Sequence, residues 1–307
     1  MVKTVREPLT GPAFDIIDRR FASCVTPDAR IERIWTGSEW TEGPAWLARS
    51  GLLVWSDIPG NRMLAWDLAK GRVSVFRQPA NSPNGNTVDR EGRLITCEQA
   101  LHRLVRTEPN GTITPLIDRI DGRCFNSPND VVVASDGAIW FTDPTYGRAQ
   151  NRSVGVDVDG CHVYRYDPAT GIVQQMTTDF VMPNGLAFSP DETALYVIDT
   201  GSTERPDGPD HVRRFGIGTD WILSGGEVLA DSSGRFDGLR VDSEGRLWMA
   251  AEEGVRCYLP DGTLIGRVNL PERAANLAFG GAERNILMMT ATSSVYIYPI
   301  NARGAGL

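Results

Sequence analysis

Six oxygen-bearing residues recur at the same point of a repeating pattern: Glu42, Asn84, Asn129, Asn184, Asp237 and Asn276, at separations of 42, 45, 55, 53 and 39 residues. None offers sulfur or imidazole. Carboxylates and amide carbonyls suit a hard divalent cation, which takes six to eight oxygens at about 2.3–2.6 Å. Asx turns also place Asn and Asp at strand starts. Glu42 has no such preference, however, and Gly follows four of the six. At 14 or 15 residues beyond each position stands a second set, Asp57, Glu98, Asp143, Asp199 and Glu252, with Ala291 in the sixth copy. Five like charges around one mouth are costly unless a cation or bound donors offset them. At least two of the five are expected to pair with Arg or cap turns instead.

The elements that position these residues follow from the repeat. Its clearest copies are Asn184-Gly-Leu-Ala-Phe188, a turn at 189–192, then Leu195-Tyr-Val-Ile-Asp199; and Asp237-Gly-Leu-Arg-Val241, a turn at 242–245, then Leu247-Trp-Met249. Each copy continues into a third strand, such as Val163-Tyr164-Arg165-Tyr166, and a Gly turn usually leads to a fourth. Four strands in roughly 40–45 residues is a propeller blade. The expected fold is therefore all-β, a six-bladed β-propeller with a central divalent-metal site. In a propeller the innermost strands line the channel, so the first residue set forms a ring. Residues 1–30 are expected to be an N-terminal arm and 31–307 the propeller. The last copy stops near Pro299 after three strands, and Ile31–Trp35 is the apolar segment available to complete it. Insertions at Arg148–Gly160 and Gly201–Asp210 are expected as loops on one face, where a mouth would sit.

Composition narrows the function classes. The chain has 307 residues, 41% of them apolar, which suffices for a sizeable core. No run approaches the roughly 18 apolar residues of a membrane span, and the start lacks a secretory signal. A soluble, cytoplasmic protein is expected. The net charge of −8 argues against nucleic-acid or anionic-membrane partners. Five scattered cysteines with no Cys-x-x-Cys pair give neither a disulfide framework nor a thiolate zinc site. Serine-hydrolase, zinc-protease, phosphate-loop and dinucleotide fingerprints are all missing. His102, His162 and His211 fall near third strands, away from the ring, and are expected to be structural.

Five ordered motifs are recognisable: Glu42-Gly-Pro-Ala-Trp46, Asn126-Ser-Pro-Asn-Asp130, Trp140-Phe-Thr-Asp-Pro-Thr-Tyr-Gly147, Pro183-Asn-Gly-Leu-Ala-Phe188 and Asp237-Gly-Leu239. Over about residues 31–300 the chain resembles the family of gluconolactonases, senescence marker protein (regucalcin) and luciferin-regenerating enzyme, closest to the bacterial gluconolactonases. The resemblance implies one catalytic divalent cation in the channel, Ca²⁺ foremost, with Zn²⁺, Mg²⁺ or Mn²⁺ as alternatives. Matched position by position, it implies Glu42, Asn184 and Asp237 as metal ligands, Asn129 as a contact to metal or substrate, and Asp237 in proton transfer. Two positions depart from relatives. Ser127 stands where eukaryotic members carry an Arg for the sugar acid, and Gln99 where bacterial ones often have His. Arg123 or the inserted loops are candidates to replace those contacts.

The expected activity is hydrolysis of a sugar lactone by water, with Asp237 as the base and Asp143 or Asp199 sharing that task. Asn84, Asn129, Asp143 and Tyr146 are expected to contact the substrate, with Asn276 a further polar candidate. Esterase or organophosphate hydrolysis at the same metal, or a non-catalytic calcium-binding propeller, are the alternatives. The partner expected is a small lactone, and the assembly a monomer or small homo-oligomer.

Overall fold

The computed structural model describes residues 6–10, 13–147, 158–231 and 234–306. Six antiparallel sheets, each of consecutive strands running from the inside outward, form the blades of a β-propeller. Blade 1 comprises Thr41–Leu47, Leu52–Asp57, Arg62–Asp67 and Arg72–Arg77. Blades 2 to 5 begin with the inner strands Pro83–Val88, Val131–Val133, Pro183–Phe188 and Leu239–Val241. Blade 6 is composite. Its inner strands Ala274–Gly280, Ile286–Ala291 and Ser294–Pro299 are followed by Glu32–Thr36 from the other end of the chain, with Val295 opposite Trp35 and Ile297 opposite Glu32. Two short segments further upstream add outermost strands, Phe14–Ile16 to blade 5 and Glu7–Pro8 to blade 6.

Second strands are covered on both faces by neighbouring blades, which accounts for their continuous apolar runs where a half-exposed strand would alternate. Ile139–Asp143 and Leu247–Ala251 are buried at every residue. Trp55, Trp140 and Trp248 on these strands are fully buried and act as wedges between blades. Trp55 lies 6.3 Å from Trp35 of the closing strand, and Trp140 meets Phe188 of the next blade edge-on at 5.6 Å. Among the described residues helix is confined to Arg19–Ala22 and short 3₁₀ turns, and no helix is long and apolar enough to cross a membrane.

Neighbouring inner strands also bond directly through their backbones. Gly85 N–H donates to Asn129 C=O (2.7 Å), Gly185 N–H to Asp237 C=O (3.0 Å) and Gly238 N–H to Ala275 C=O (2.8 Å). So close an approach excludes a side chain at the glycine. A Cβ on Gly185 would fall 2.4 Å from the Asp237 carbonyl oxygen and 2.7 Å from the Leu239 nitrogen, both backbone atoms that cannot swing aside. Gly185→Ala is therefore expected to cost about 2–4 kcal/mol. The check is urea unfolding, where the midpoint falls at an unchanged slope.

Candidate active site

All six ring residues are gathered at the inner strands and almost wholly buried, with between 3% and 7% of each exposed. Two carboxylates and an amide stand out. Glu42 Oε2 accepts from its neighbour's amide, Gly43 N–H (2.8 Å), and from Asn276 Nδ2 (3.1 Å). Asp237 hydrogen-bonds to Asn184 and receives Arg273 Nη2 at 3.3 Å on Oδ2. Asn184 is held in turn by Thr200 Oγ1 (3.2 Å), whose hydroxyl donates to Phe236 C=O (2.8 Å). The Asn129 and Asn84 carbonyls serve the inner-strand scaffold, accepting from Gly85 N–H and Ser56 Oγ (2.6 Å), and their side chains remain at ring positions.

Burial dominates the charge state. It pushes the Asp237 carboxyl up to about 7, against the pull of Arg273 and the Asn184 hydrogen bond. Glu42 is pushed well above the usual carboxylate range, first by burial and then by the charge of Asp237. Two buried carboxylates that repel each other are the arrangement a cation relieves. Among the described residues no three His, Cys, Asp or Glu side chains are grouped to hold an ion. The residues present at the ring are two carboxylates, Glu42 and Asp237, with the side-chain amides of Asn184 and Asn129 at neighbouring ring positions. That set fits Ca²⁺ or another hard cation and leaves nothing for a softer thiolate or imidazole site.

The second carboxylate set does not surround the ring as a charged mouth. Asp143, fully buried, accepts Asn126 N–H and Ser127 N–H at 2.8 Å each, and so positions the Asn126–Asp130 segment. Asp199 does the same for Val181 and Met182 (2.9 and 2.8 Å). Asp57 pairs with Arg62, and Glu98 with Arg77 and Arg103. Glu252 is displaced to the surface, and in blade 5 its bracing role falls to Asp210, which accepts Arg235 N–H (2.7 Å) and Phe236 N–H (3.0 Å) just before Asp237. In blades 3 and 4 a period-spaced carboxylate thus braces the turn that presents the ring residue, and in blade 5 Asp210 does so from outside the period.

The rim is built around Tyr146. Its hydroxyl meets Thr203 Oγ1 at 2.8 Å, joining blade 3 to the 201–210 insertion, and burial, aided by Asp237, raises the phenol so that it stays protonated. Ser127 Oγ donates to Pro144 C=O (2.6 Å) and accepts Gly147 N–H (2.9 Å), pinning the turn that carries Tyr146. Gly147 packs against both Ser127 and Gln99, so the two positions that depart from relatives are neighbours in space. Most of the 148–160 insertion lies outside the described residues. Arg123 turns instead to Asp159 (2.5 Å), half exposed on a two-stranded ribbon. His102 is buried against the Phe125 carbonyl (3.0 Å), and His162 against that of Asp159 (2.6 Å).

Three side chains at the site escape repeat-based reasoning. Asp130 occupies the place where four other blades have glycine, and it reaches across the channel to Arg240 of blade 5 (3.1 and 3.3 Å). Asn276 Nδ2 touches this carboxylate too (3.4 Å), linking it to Glu42. Arg273 precedes the blade 6 inner strand, stacked over Trp40 with its guanidinium carbon 5.5 Å from the ring. The signal for Asp130 was its exception to the glycine rule; the two arginines carry none.

A six-bladed propeller with buried carboxylates and amides at the inner strands defines the class of the protein: a propeller with a polar site at its centre. Residues 40–293 match the SMP-30/Gluconolactonase/LRE-like region, and the chain belongs to this family. It is 26% identical over 293 residues to a gluconolactonase of Zymomonas mobilis, covering 87% of this chain and 80% of that one. It is 28% identical over 262 residues to a pentonolactonase of Haloferax volcanii, covering 81% and 80%. A solved gluconolactonase from Xanthomonas campestris superposes with a TM-score of 0.87 at 35% identity, over 96% of this chain and 97% of that one.

Asp130→Asn leaves Arg240 without its counter-charge at a side chain only 16% exposed. A loss of about 2–4 kcal/mol is expected, partly recovered in D130N/R240M, because the second change removes the stranded charge. Chemical denaturation of both variants tests the cross-channel pair.

Proposed function

We propose that the protein hydrolyses a sugar lactone at the channel mouth, using a divalent cation, Ca²⁺ foremost, held by Glu42, Asn129, Asn184 and Asp237. The observation that carries this reading is the pair of buried, mutually repelling carboxylates, Glu42 and Asp237, beside amide oxygens. Relatives named gluconolactonase and pentonolactonase, matched over 80% or more of their lengths, support a lactone-hydrolysing hydrolase. Bound there, such a cation supplies Lewis-acid polarisation of the lactone carbonyl and charge stabilisation as its oxygen turns negative.

The chain's own residues do the rest. Asp237 is the proton acceptor for the attacking water: of the two carboxylates it lies on the mouth side, within the electrostatic reach of Tyr146 and Arg273. Glu42 is tied inward through Asn276 to Asp130, which suits a ligand and not a group that moves protons. Tyr146, a protonated phenol on the rim, donates to a sugar hydroxyl, and the Asn84 and Asn129 amides offer donors and acceptors to the others.

Metal-stripped protein is expected to be inert towards aldonolactones in a pH-drop assay and to recover on adding back Ca²⁺, with Mg²⁺, Mn²⁺ and Zn²⁺ compared. Cation-independent turnover would remove the metal from the mechanism. Silence with every lactone and cation would redirect the search to other esters or organophosphates. Asp237→Asn is expected to lower kcat at least ~10³-fold. The same change relieves the repulsion on Glu42, so the metal-free variant is expected to melt no lower than the wild type. Calorimetric melting checks this, and a folded variant with wild-type turnover would overturn the assignment.

A further inference from the structure

Two arginines reach the ring, and they are used differently. Arg240 is fully committed: both terminal nitrogens bind Asp130, and Nη1 also donates to Leu239 C=O (2.6 Å). Arg273 makes a single, longer contact from Nη2 to Asp237 Oδ2, at 3.3 Å. Its Nε is buried with no hydrogen-bond partner. Its backbone is anchored where its carbonyl accepts Thr292 N–H (3.0 Å), and its plane rests on Trp40, so the guanidinium is held at the mouth without a matched two-point acceptor. Asp210, the other carboxylate felt by both Asp237 and Arg273, is already engaged by two backbone N–H groups.

Charge balance then gives Arg273 a second role. Glu42 and Asp237 together carry two negative charges when ionised, and a divalent cation matches them. Asp130 and Arg240 cancel each other. With the cation in place, Arg273 loses its ion-pair contact with Asp237, and the carboxylate that remains near it, Asp210, has both oxygens taken by backbone N–H groups, so the guanidinium edge is left without a direct acceptor. A planar guanidinium held by an aromatic face is suited to binding a carboxylate or similar oxyanion at two points.

We propose that Arg273 is a specificity-determining residue that selects lactones bearing a second, ionised acidic group, and that it moves from Asp237 to that group when the cation binds. This rests on the lactonase reading of the site. Cation and acidic ligand are coupled in consequence: each favours the other, because both draw Arg273 and Asp237 apart, and the coupling must be reciprocal.

Three calorimetric titrations separate this role from a purely structural one, using wild type, R273Q and R273K. Ca²⁺ is expected to bind R273Q about 3- to 10-fold more tightly than wild type, since a competing positive charge is gone. If Arg273 merely props Asp237 in place, Ca²⁺ binds R273Q equally or more weakly, and the proposal falls. On Ca²⁺-loaded protein, the glucarate dianion is expected to lose at least about 10-fold more affinity than the gluconate monoanion on going to R273Q, with R273K intermediate. Equal losses for the two ligands would place Arg273 at the carboxylate formed by ring opening and overturn selection of a second acid group. Wild-type protein is expected to bind glucarate more tightly with Ca²⁺ than without it. Kinetics provide the last reading: R273Q raises KM for a glucarolactone at least ten times more than for gluconolactone. If the wild type hydrolyses neither lactone, the lactonase reading fails, and the binding titrations still decide the role of Arg273.

Discussion

The backbone bonds from Gly85 to Asn129, Gly185 to Asp237 and Gly238 to Ala275 set how tightly the inner strands can gather. Without a Cβ at those glycines the strands approach to hydrogen-bonding distance, and the side chain before each glycine is turned into a narrow channel. That constraint brings together Glu42 and Asp237, which are far apart in sequence and belong to different blades. Asn276, from the blade between them, touches Glu42 directly. A wider ring, with side chains at the glycine positions, would leave the same carboxylates hydrated and apart.

The close approach also creates the site's electrostatic tension. Glu42 and Asp237 are buried where their charges are costly, and the fold offsets only part of that cost. Arg240 is spent on Asp130, while Arg273 gives Asp237 one long contact. Stability alone would favour neutral residues here. Retaining two carboxylates is the kind of local conflict expected where a site is built for a ligand at some expense to the fold. Around them the protein is rigid: Asp143, Asp199 and Asp210 each hold a pair of backbone N–H groups just ahead of a ring residue, so the charged atoms are aimed by well-braced turns.

Ring positions were readable in the sequence because a propeller repeats its register: an oxygen-bearing residue marks the same strand start in each blade, and Gly follows it in four of the six. The carboxylates 14 or 15 residues later were equally visible as a periodic set, but their purpose was not. Periodicity reports where a side chain falls along a hairpin and is silent on whether a backbone amide waits there. Asp143 read as a substrate contact, and its part as a brace for Asn126 and Ser127 was not visible. Glu252 kept the spacing and lost the role, because Asp210, from the preceding insertion, reaches the same amides first. Arg273 and Arg240 follow no repeat. Their meaning comes from contacts between blades, which depend on the closed ring. Arg123 was attractive for lying near the right motif, yet its ribbon turns it towards Asp159.

Blade 6 takes strands from both ends of the chain, and this has a consequence for how the protein is made. Thr36 pairs with Ser294, 258 residues later. At ~5–20 residues per second, a ribosome needs roughly 10–50 s to deliver the partner of a strand that emerged near the beginning. Ile34 and Trp35, both buried in the finished ring, must wait through that interval without the surface that covers them. Five blades can assemble in order of synthesis, but the channel acquires its final width only when the last strands arrive and the early one is captured. The nascent chain thus carries its latch early and can fasten it only once the strands of the last blade have been made.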